Sequence, residues 1–187
     1  ILTTFASPSW AATENDVRRF VEEVSSEIIN IITTKSSIDE KADQFAQLFE
    51  RDSDPNAIAR FVAGRYYRTG STEEQKKYQD VFTRYLTLFY ADAMKSYSGQ
   101  TLSVVSVTNA GKKGFVAITK VENAQPPLQV NWQVKQGKSG ELKVVDLQVG
   151  GVSMLVTWRN EFDSIINRGN GSLKAATAEL EKRIEKF

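Results

Sequence analysis

The sequence predicts an α+β fold in which helices pack on a curved sheet of four antiparallel strands. Two observations carry this prediction. Hydrophobic residues recur at helical spacing before residue 101 and after residue 151, whereas between these points they recur at every second position. Links of hairpin length separate the alternating segments, so consecutive strands should pair as an antiparallel meander.

The first half of the chain has the pattern of four amphipathic helices. Asn15 or Asp16 is a suitable N-cap for the first helix. Ser37 and Glu40 form a capping box at the start of the second. The fourth helix is long and aromatic, and acidic residues occupy its first turn, where the helix dipole favours them. The predicted helices are 16–33, 37–51, 56–66 and 72–96.

The second half has the pattern of strands followed by two further helices. The predicted strands are 101–109, 115–123, 127–136 and 141–149. The third strand alternates cleanly, whereas the fourth is apolar on both faces, which is typical of a covered strand. Gly150 and Gly151 should form a tight strand-to-helix turn, with Ser153 capping a helix at about 154–168. Ser172 should cap the last helix.

Composition excludes several classes of function. The chain has no histidine and no cysteine, which excludes serine–histidine and cysteine–histidine nucleophiles, thiolate or imidazole zinc sites, and disulfides. The net charge of +1, with acidic and basic residues mixed, argues against a nucleic-acid partner. No segment approaches the roughly 18 apolar residues of a membrane-spanning helix. We predict no catalytic residues and no metal site.

The N-terminal segment, residues 1–12, differs from the rest of the chain. A short apolar stretch, a proline and small residues precede Ala11 and Ala12, as at the end of a signal peptide. Ser9, Trp10 and Ala11 fit the small-x-small rule, which favours cleavage after Ala11. We interpret residues 1–12 as a signal-peptide remnant or a disordered arm, and residues 13–187 as a single domain.

Two segments carry a family resemblance. The first runs Gly64-Arg-Tyr-Tyr-Arg-Thr-Gly-Ser-Thr-Glu-Glu-Gln75, and the second runs Val145-Asp-Leu-Gln-Val-Gly-Gly-Val-Ser-Met154 and on into 158–166. Together they resemble the MlaC-like, or toluene-tolerance, family, which is made up of periplasmic proteins that ferry phospholipids between the membranes of Gram-negative bacteria. Tyr67 stands where members often have Trp, and Trp158 where Tyr is common; both changes keep an aromatic ring.

The resemblance implies a periplasmic phospholipid carrier that maintains outer-membrane lipid asymmetry. Its ligand would be a phospholipid with its acyl chains in an apolar pocket between helices and sheet, and it would need no other cofactor. Its partners would be an inner-membrane MlaD-type ABC transporter complex and an outer-membrane lipoprotein complex. Candidate wall residues, chosen by the face on which they lie, are Ile28, Ile32, Phe61, Phe82, Leu86, Phe89, Val130, Trp132, Val134, Leu147, Leu155, Phe162 and Ile166.

Three arginines in the two segments have two interpretations. Arg65, Arg68 and Arg159 could meet a lipid phosphate, because a guanidinium can bond two of its oxygens. The favoured interpretation is structural: they pair with nearby acids or fix the helix junctions.

Three alternatives for the whole chain stay open. One is a carrier of another apolar lipid, such as a hopanoid. A second is a small carboxylate-dependent enzyme, with an inward-facing Asp or Glu paired with a Tyr. A third is a structural adaptor with a solid core.

Overall fold

The structure is a computed structural model that describes residues 11–168 and 171–187. The interpretation of residues 1–12 therefore falls almost entirely outside the described residues. The helices are α1 (Glu14–Thr33), α2 (Ile38–Asp52), α3 (Pro55–Ala63), α4 (Thr72–Ala93), α5 (Met154–Arg168) and α6 (Leu173–Ile184). The strands are β1 (Thr101–Asn109), β2 (Phe115–Glu122), β3 (Leu128–Gln136), β4 (Leu142–Val149) and β5 (Val152–Ser153).

The sheet is an antiparallel meander, as the alternating pattern predicts. Its order is β1-β2-β3-β4-β5, with every neighbouring pair antiparallel. The sheet has five strands where four were predicted, because Val152 and Ser153 fold back onto β4. Gly150 and Gly151 make this reversal possible, since both adopt positive φ angles of 57° and 83° that other residues rarely adopt. A two-residue strand has no alternation to detect, so the pattern missed it.

Most helix boundaries agree with the prediction, and three differ for identifiable reasons. Helix α4 ends at Ala93 rather than at residue 96, because Met94–Ser96 continues as a 3₁₀ helix. The N-cap of α1 is Thr13 rather than Asn15 or Asp16: its hydroxyl accepts from the Asp16 backbone N–H, and the Asp16 carboxylate accepts from the Thr13 N–H. Helix α3 ends at Ala63, because Gly64 follows with φ +57° and the chain continues as a 3₁₀ helix to Thr69.

The buried side chains form two clusters. The helical cluster lies among α3, α4, α5 and α6 and includes Phe82 and Phe162, both fully buried. The sheet cluster lies among α1, α2 and the inner face of the sheet and includes Val21 and Trp132. Helix α4 contributes to both clusters. An internal cavity lies at the boundary between the two clusters.

Candidate functional site: an apolar cavity between the two clusters

A cavity of about 190 Å³ lies at the boundary between the helical and sheet clusters. Its walls come from α1, α2, α4, α5 and β4, with one residue each from α3 (Ile58) and β3 (Trp132). Leu86 and Trp158 belong to the helical cluster, whereas Val24 and Phe45 belong to the sheet cluster, and all four face the cavity. The cavity is therefore a gap between two packed units rather than a defect within one of them.

The two tryptophans in the cavity wall have their polar atoms bonded to protein. Trp132 donates its indole N–H to the Thr119 hydroxyl at 3.0 Å, and Trp158 donates to the Tyr90 hydroxyl at 3.2 Å. Burial raises the pKa of the Tyr90 phenol, so this hydroxyl stays protonated at physiological pH. The rings thus present carbon to the cavity, as a site for an apolar ligand requires.

Asp146 lies in the cavity wall, and its carboxylate holds the start of α5. One oxygen accepts from the Ser153 hydroxyl at 2.6 Å, and the other accepts from the Leu155 backbone N–H at 3.1 Å. The Ser153 hydroxyl in turn accepts from the Val156 N–H at 3.1 Å, so Ser153 caps α5 as predicted. Tyr90 also lines the cavity, but both Asp146 oxygens are already engaged, one by the Ser153 hydroxyl and the other by the Leu155 backbone N–H. This geometry gives no support to the carboxylate–tyrosine enzyme.

A second carboxylate in the cavity wall, that of Asp52, forms an ion pair with the neighbouring Arg51. Arg51 bonds the buried Asp52 at 2.6 Å and also bonds Glu27 of α1 at 2.6 Å. These bonds raise the pKa of Arg51, with the Asp52 bond as the larger cause. Asp52 therefore lines the cavity without leaving a buried charge unpaired.

The predicted wall residues occupy three kinds of position. Those that line the cavity are Ile28, Leu86, Trp132, Leu147 and Leu155. Those packed in the two clusters away from it are Ile32, Phe82, Val130, Val134, Phe162 and Ile166. Phe61 and Phe89 are 42% and 37% exposed. Helical and strand periodicity identifies the inward face of an element, and this is why it selected packed core together with cavity wall.

Sequence reasoning left part of the wall out. The residues not predicted include Val24, Phe45, Leu48, Phe49, Ile58, Tyr90, Met94, Val144, Met154 and Trp158. Met154 and Trp158 lie in the second family-like segment, so that segment was a usable signal. The inward face of α2 was recognised as core, but nothing in its spacing indicates that it borders a gap.

Two of the three arginines fix helix junctions. Arg159 donates to the Phe61 carbonyl, its guanidinium lies 5.1 Å from the centre of the Phe61 ring, and it fills the space beside Gly64. Arg65 donates to the Tyr66 hydroxyl at 2.6 Å. Arg68 is exposed, and none of the three lines the cavity. The two family-like segments therefore meet at Gly64 and Arg159.

Neither a metal-binding group nor a membrane-spanning helix is found among the described residues. Within 11–168 and 171–187, no group of three or more potential ligands among Asp, Glu, His and Cys is placed to hold a metal. In the same part of the chain, none of the helices combines the length and the apolar character needed to cross a bilayer.

Comparison with known proteins connects this arrangement to a family. The family described as MlaC protein matches residues 22–182. The chain is 32% identical over 111 residues to the intermembrane phospholipid transport system binding protein MlaC of Haemophilus influenzae, covering 57% of this chain and 52% of that protein. It is 26% identical over 110 residues to toluene tolerance protein ttg2D of Pseudomonas putida, covering 58% of this chain and 51% of that protein. The alignments thus span about half the length of these curated relatives.

A solved structure shares the fold. The phospholipid-binding protein of Ralstonia solanacearum, determined in complex with a phospholipid, matches with a TM-score of 0.73 at 20% identity. The match covers 90% of this chain and 97% of that one. The family match extends over most of the sequence and both family-like segments, and the fold agrees with it. The chain belongs to the MlaC protein family.

Proposed function

We propose that this protein is a periplasmic carrier that binds the acyl chains of a phospholipid in the cavity and shuttles the lipid between outer- and inner-membrane complexes, thereby maintaining outer-membrane lipid asymmetry. The observation that carries the proposal is the apolar cavity between the two clusters of a chain that belongs to the MlaC family. The names of the relatives and the phospholipid bound to the Ralstonia protein support the same ligand class. A carrier role, rather than catalysis, fits a wall whose carboxylates are engaged in capping and ion pairing.

The cavity has to widen to accept a lipid. Ligand sites usually measure about 300–1,000 Å³, more than the 190 Å³ found here. At roughly 30 Å³ per group of water or methylene size, the cavity holds about six methylenes. Because its walls belong to two separately packed clusters, they can move apart while each cluster keeps its own contacts.

Burial of the tails makes the complex long-lived, and a carrier must overcome this stability. Each buried methylene contributes about 0.8 kcal/mol, so six contribute roughly 5 kcal/mol and a full sixteen-carbon tail roughly 12 kcal/mol as an upper bound. Release of a free lipid into water would be correspondingly slow. Transfer therefore requires contact with partners that shield the tails, for which we propose an inner-membrane MlaD-type ABC transporter and an outer-membrane lipoprotein complex.

Mass spectrometry of the exported protein tests the proposal. The protein would be expressed with an export signal, purified without detergent, and measured under native and denaturing conditions. A phospholipid-sized mass lost on denaturation and identified after extraction is expected. A hopanoid mass would replace the phospholipid by another apolar lipid, whereas an apo mass with no uptake from vesicles would refute the carrier function and favour an adaptor.

A further inference from the structure

Three hydroxyl groups lie on the cavity wall, and one of them has a hydrogen that no acceptor binds. The hydroxyls of Ser53 and Thr87 each donate to a backbone carbonyl about one turn earlier in the chain. The third hydroxyl, that of Tyr90, accepts from the Trp158 indole N–H at 3.2 Å, but within the described residues it donates to no acceptor. A phenol is both a donor and an acceptor, and an unused donor that is withdrawn from water costs free energy. The Tyr90 hydrogen is therefore available to a ligand.

The other tryptophan of the wall belongs to a pair in which every polar hydrogen is used. Trp132 donates to the Thr119 hydroxyl at 3.0 Å, and this hydroxyl donates in turn to the Val130 carbonyl at 3.0 Å. The Trp158–Tyr90 pair lacks this last bond in the part of the chain that the structure describes. Its unused hydrogen is therefore a local feature of the wall where α4 meets α5.

A nearby negative charge restricts the kind of acceptor that Tyr90 can bind. Burial is the main cause of the raised pKa of this phenol, and the Asp146 carboxylate adds to the rise. That carboxylate bonds the Ser153 hydroxyl and the Leu155 N–H. A fixed negative charge at this point repels a phosphate or a free carboxylate, because charges interact strongly where water is excluded. A neutral carbonyl oxygen accepts a hydrogen bond without this cost.

The position of Tyr90 suits an ester group. The rings of Tyr90 and Trp158 both contact Phe89, with ring centres 5.5 Å and 4.9 Å apart, and Phe89 is exposed. The pair thus lies between the cavity and a side chain that reaches solvent. In a lipid whose tails are buried and whose headgroup stays outside, the ester groups join the two parts and lie at such a boundary.

We propose that the Tyr90 hydroxyl donates a hydrogen bond to an ester carbonyl of the bound lipid, and that the protein thereby prefers acyl-ester lipids to apolar lipids without a carbonyl group. This inference rests on the function proposed above and names the chemical class of lipid within it. An ether lipid or a hopanoid leaves the Tyr90 hydrogen unbonded in the loaded cavity, so it binds less tightly. Trp158 contributes by holding the phenol oxygen in place.

A competition between two lipids tests the inference. The purified, delipidated protein would be incubated with vesicles that contain equal amounts of a diacyl and a dialkyl phosphatidylethanolamine. These lipids have the same headgroup and the same chain length, and only the first has ester carbonyls. Native mass spectrometry would compare the two loaded forms. We expect the diacyl lipid to be enriched about fivefold, which is the net effect of one neutral hydrogen bond.

Three variants connect the preference to the phenol. Tyr90→Phe removes the donor and should bring the enrichment to about unity. Because this change also frees the indole N–H, Trp158→Phe separates the two groups: it removes the N–H and keeps the Tyr90 donor, so the enrichment should persist. The matched control is Tyr78→Phe, which removes another buried hydroxyl away from the cavity wall and should keep the preference. Unchanged circular dichroism would verify folding of all three variants.

Infrared spectroscopy measures the contact directly. A hydrogen bond lowers the stretching frequency of a carbonyl, so the diacyl lipid would carry carbon-13 at its ester carbonyls. The loaded protein should show a lowered carbonyl band that is missing from loaded Tyr90→Phe. The band position does not depend on how much lipid is loaded.

The failures of the two proposals are distinguishable. Equal loading of the two lipids by the unmodified protein, or an ester preference retained by Tyr90→Phe, would overturn the ester contact and leave phospholipid binding intact. No loading of either lipid would overturn both.

Discussion

Replacing Ile28 by tryptophan should reduce lipid loading, because this residue lies in the cavity wall on α1. A cavity of about 190 Å³ has little space to lose to an indole. If the ring displaces about three methylenes of a tail, at about 0.8 kcal/mol each, the affinity falls by about 2.4 kcal/mol, or roughly 50-fold. Uptake of a fluorescent-tailed phospholipid from vesicles would measure the loss.

A tryptophan placed elsewhere controls for general effects of the substitution. Val105, on β1, is 61% exposed and does not line the cavity, so Val105→Trp should load lipid normally. Thermal denaturation should show that Ile28→Trp remains folded, since the added ring enters existing space. Normal loading by Ile28→Trp would refute the assignment of the acyl chains to this cavity.

Three further predictions concern stability and pH. Tyr78→Phe should raise the free energy of unfolding by about 1 kcal/mol, measured by urea denaturation, because it removes a fully buried hydroxyl that has no hydrogen-bond partner in the described structure. Gly64→Ala should lower it by about 1–3 kcal/mol in the same assay, because φ is +57° and the new Cβ would lie 2.7 Å from Arg159 Nη2. Asp16→Asn should flatten the loss of stability on acidification, which circular dichroism would follow. The hydrogen bonds from Thr13 lower the folded-state pKa of Asp16 from 3.8 to about 2. The contribution of Asp16 to the free energy of unfolding is therefore present above pH 3.8 and is lost as the pH falls through 2.

Each of these predictions has an outcome that contradicts it. Destabilisation by Tyr78→Phe would mean that the hydroxyl has a partner. If Gly64→Ala were neutral, or if adding Arg159→Ala relieved none of its cost, the close approach would not limit this site. An unaltered acid transition in Asp16→Asn would show that the α1 capping box does not contribute to the pH dependence.

The order and class of the elements could be predicted from the sequence, but the position of the cavity could not. Phe82 and Leu86 lie one turn apart on the same face of α4, and periodicity assigns both to the interior. Phe82 is packed against Phe162, with ring centres 5.3 Å apart, whereas Leu86 lines the internal cavity. The difference depends on which side chains from distant elements meet them. One-dimensional spacing carries no information about that.

The family-like segments were informative for a reason other than ligand contact. Arg159 occupies the space beside Gly64 and bonds the last turn of α3, while Asp146 and Ser153 hold the first turn of α5. Helix α5 is thereby fixed at its start and at its middle. It is this helix that brings Leu155 and Trp158 to the cavity wall.

The residues that distinguish the two family-like segments therefore position the helices around the cavity, whereas common apolar residues form the cavity surface. A wall of interchangeable apolar side chains can accept tails of different length, provided that the frame keeps the two clusters apart. Substitutions at Gly64 or Asp146 should consequently impair lipid loading by displacing α5. Gly64 does not line the cavity, and Asp146 lines it with a carboxylate that is engaged in capping α5, so neither effect would come from a lost contact with the lipid.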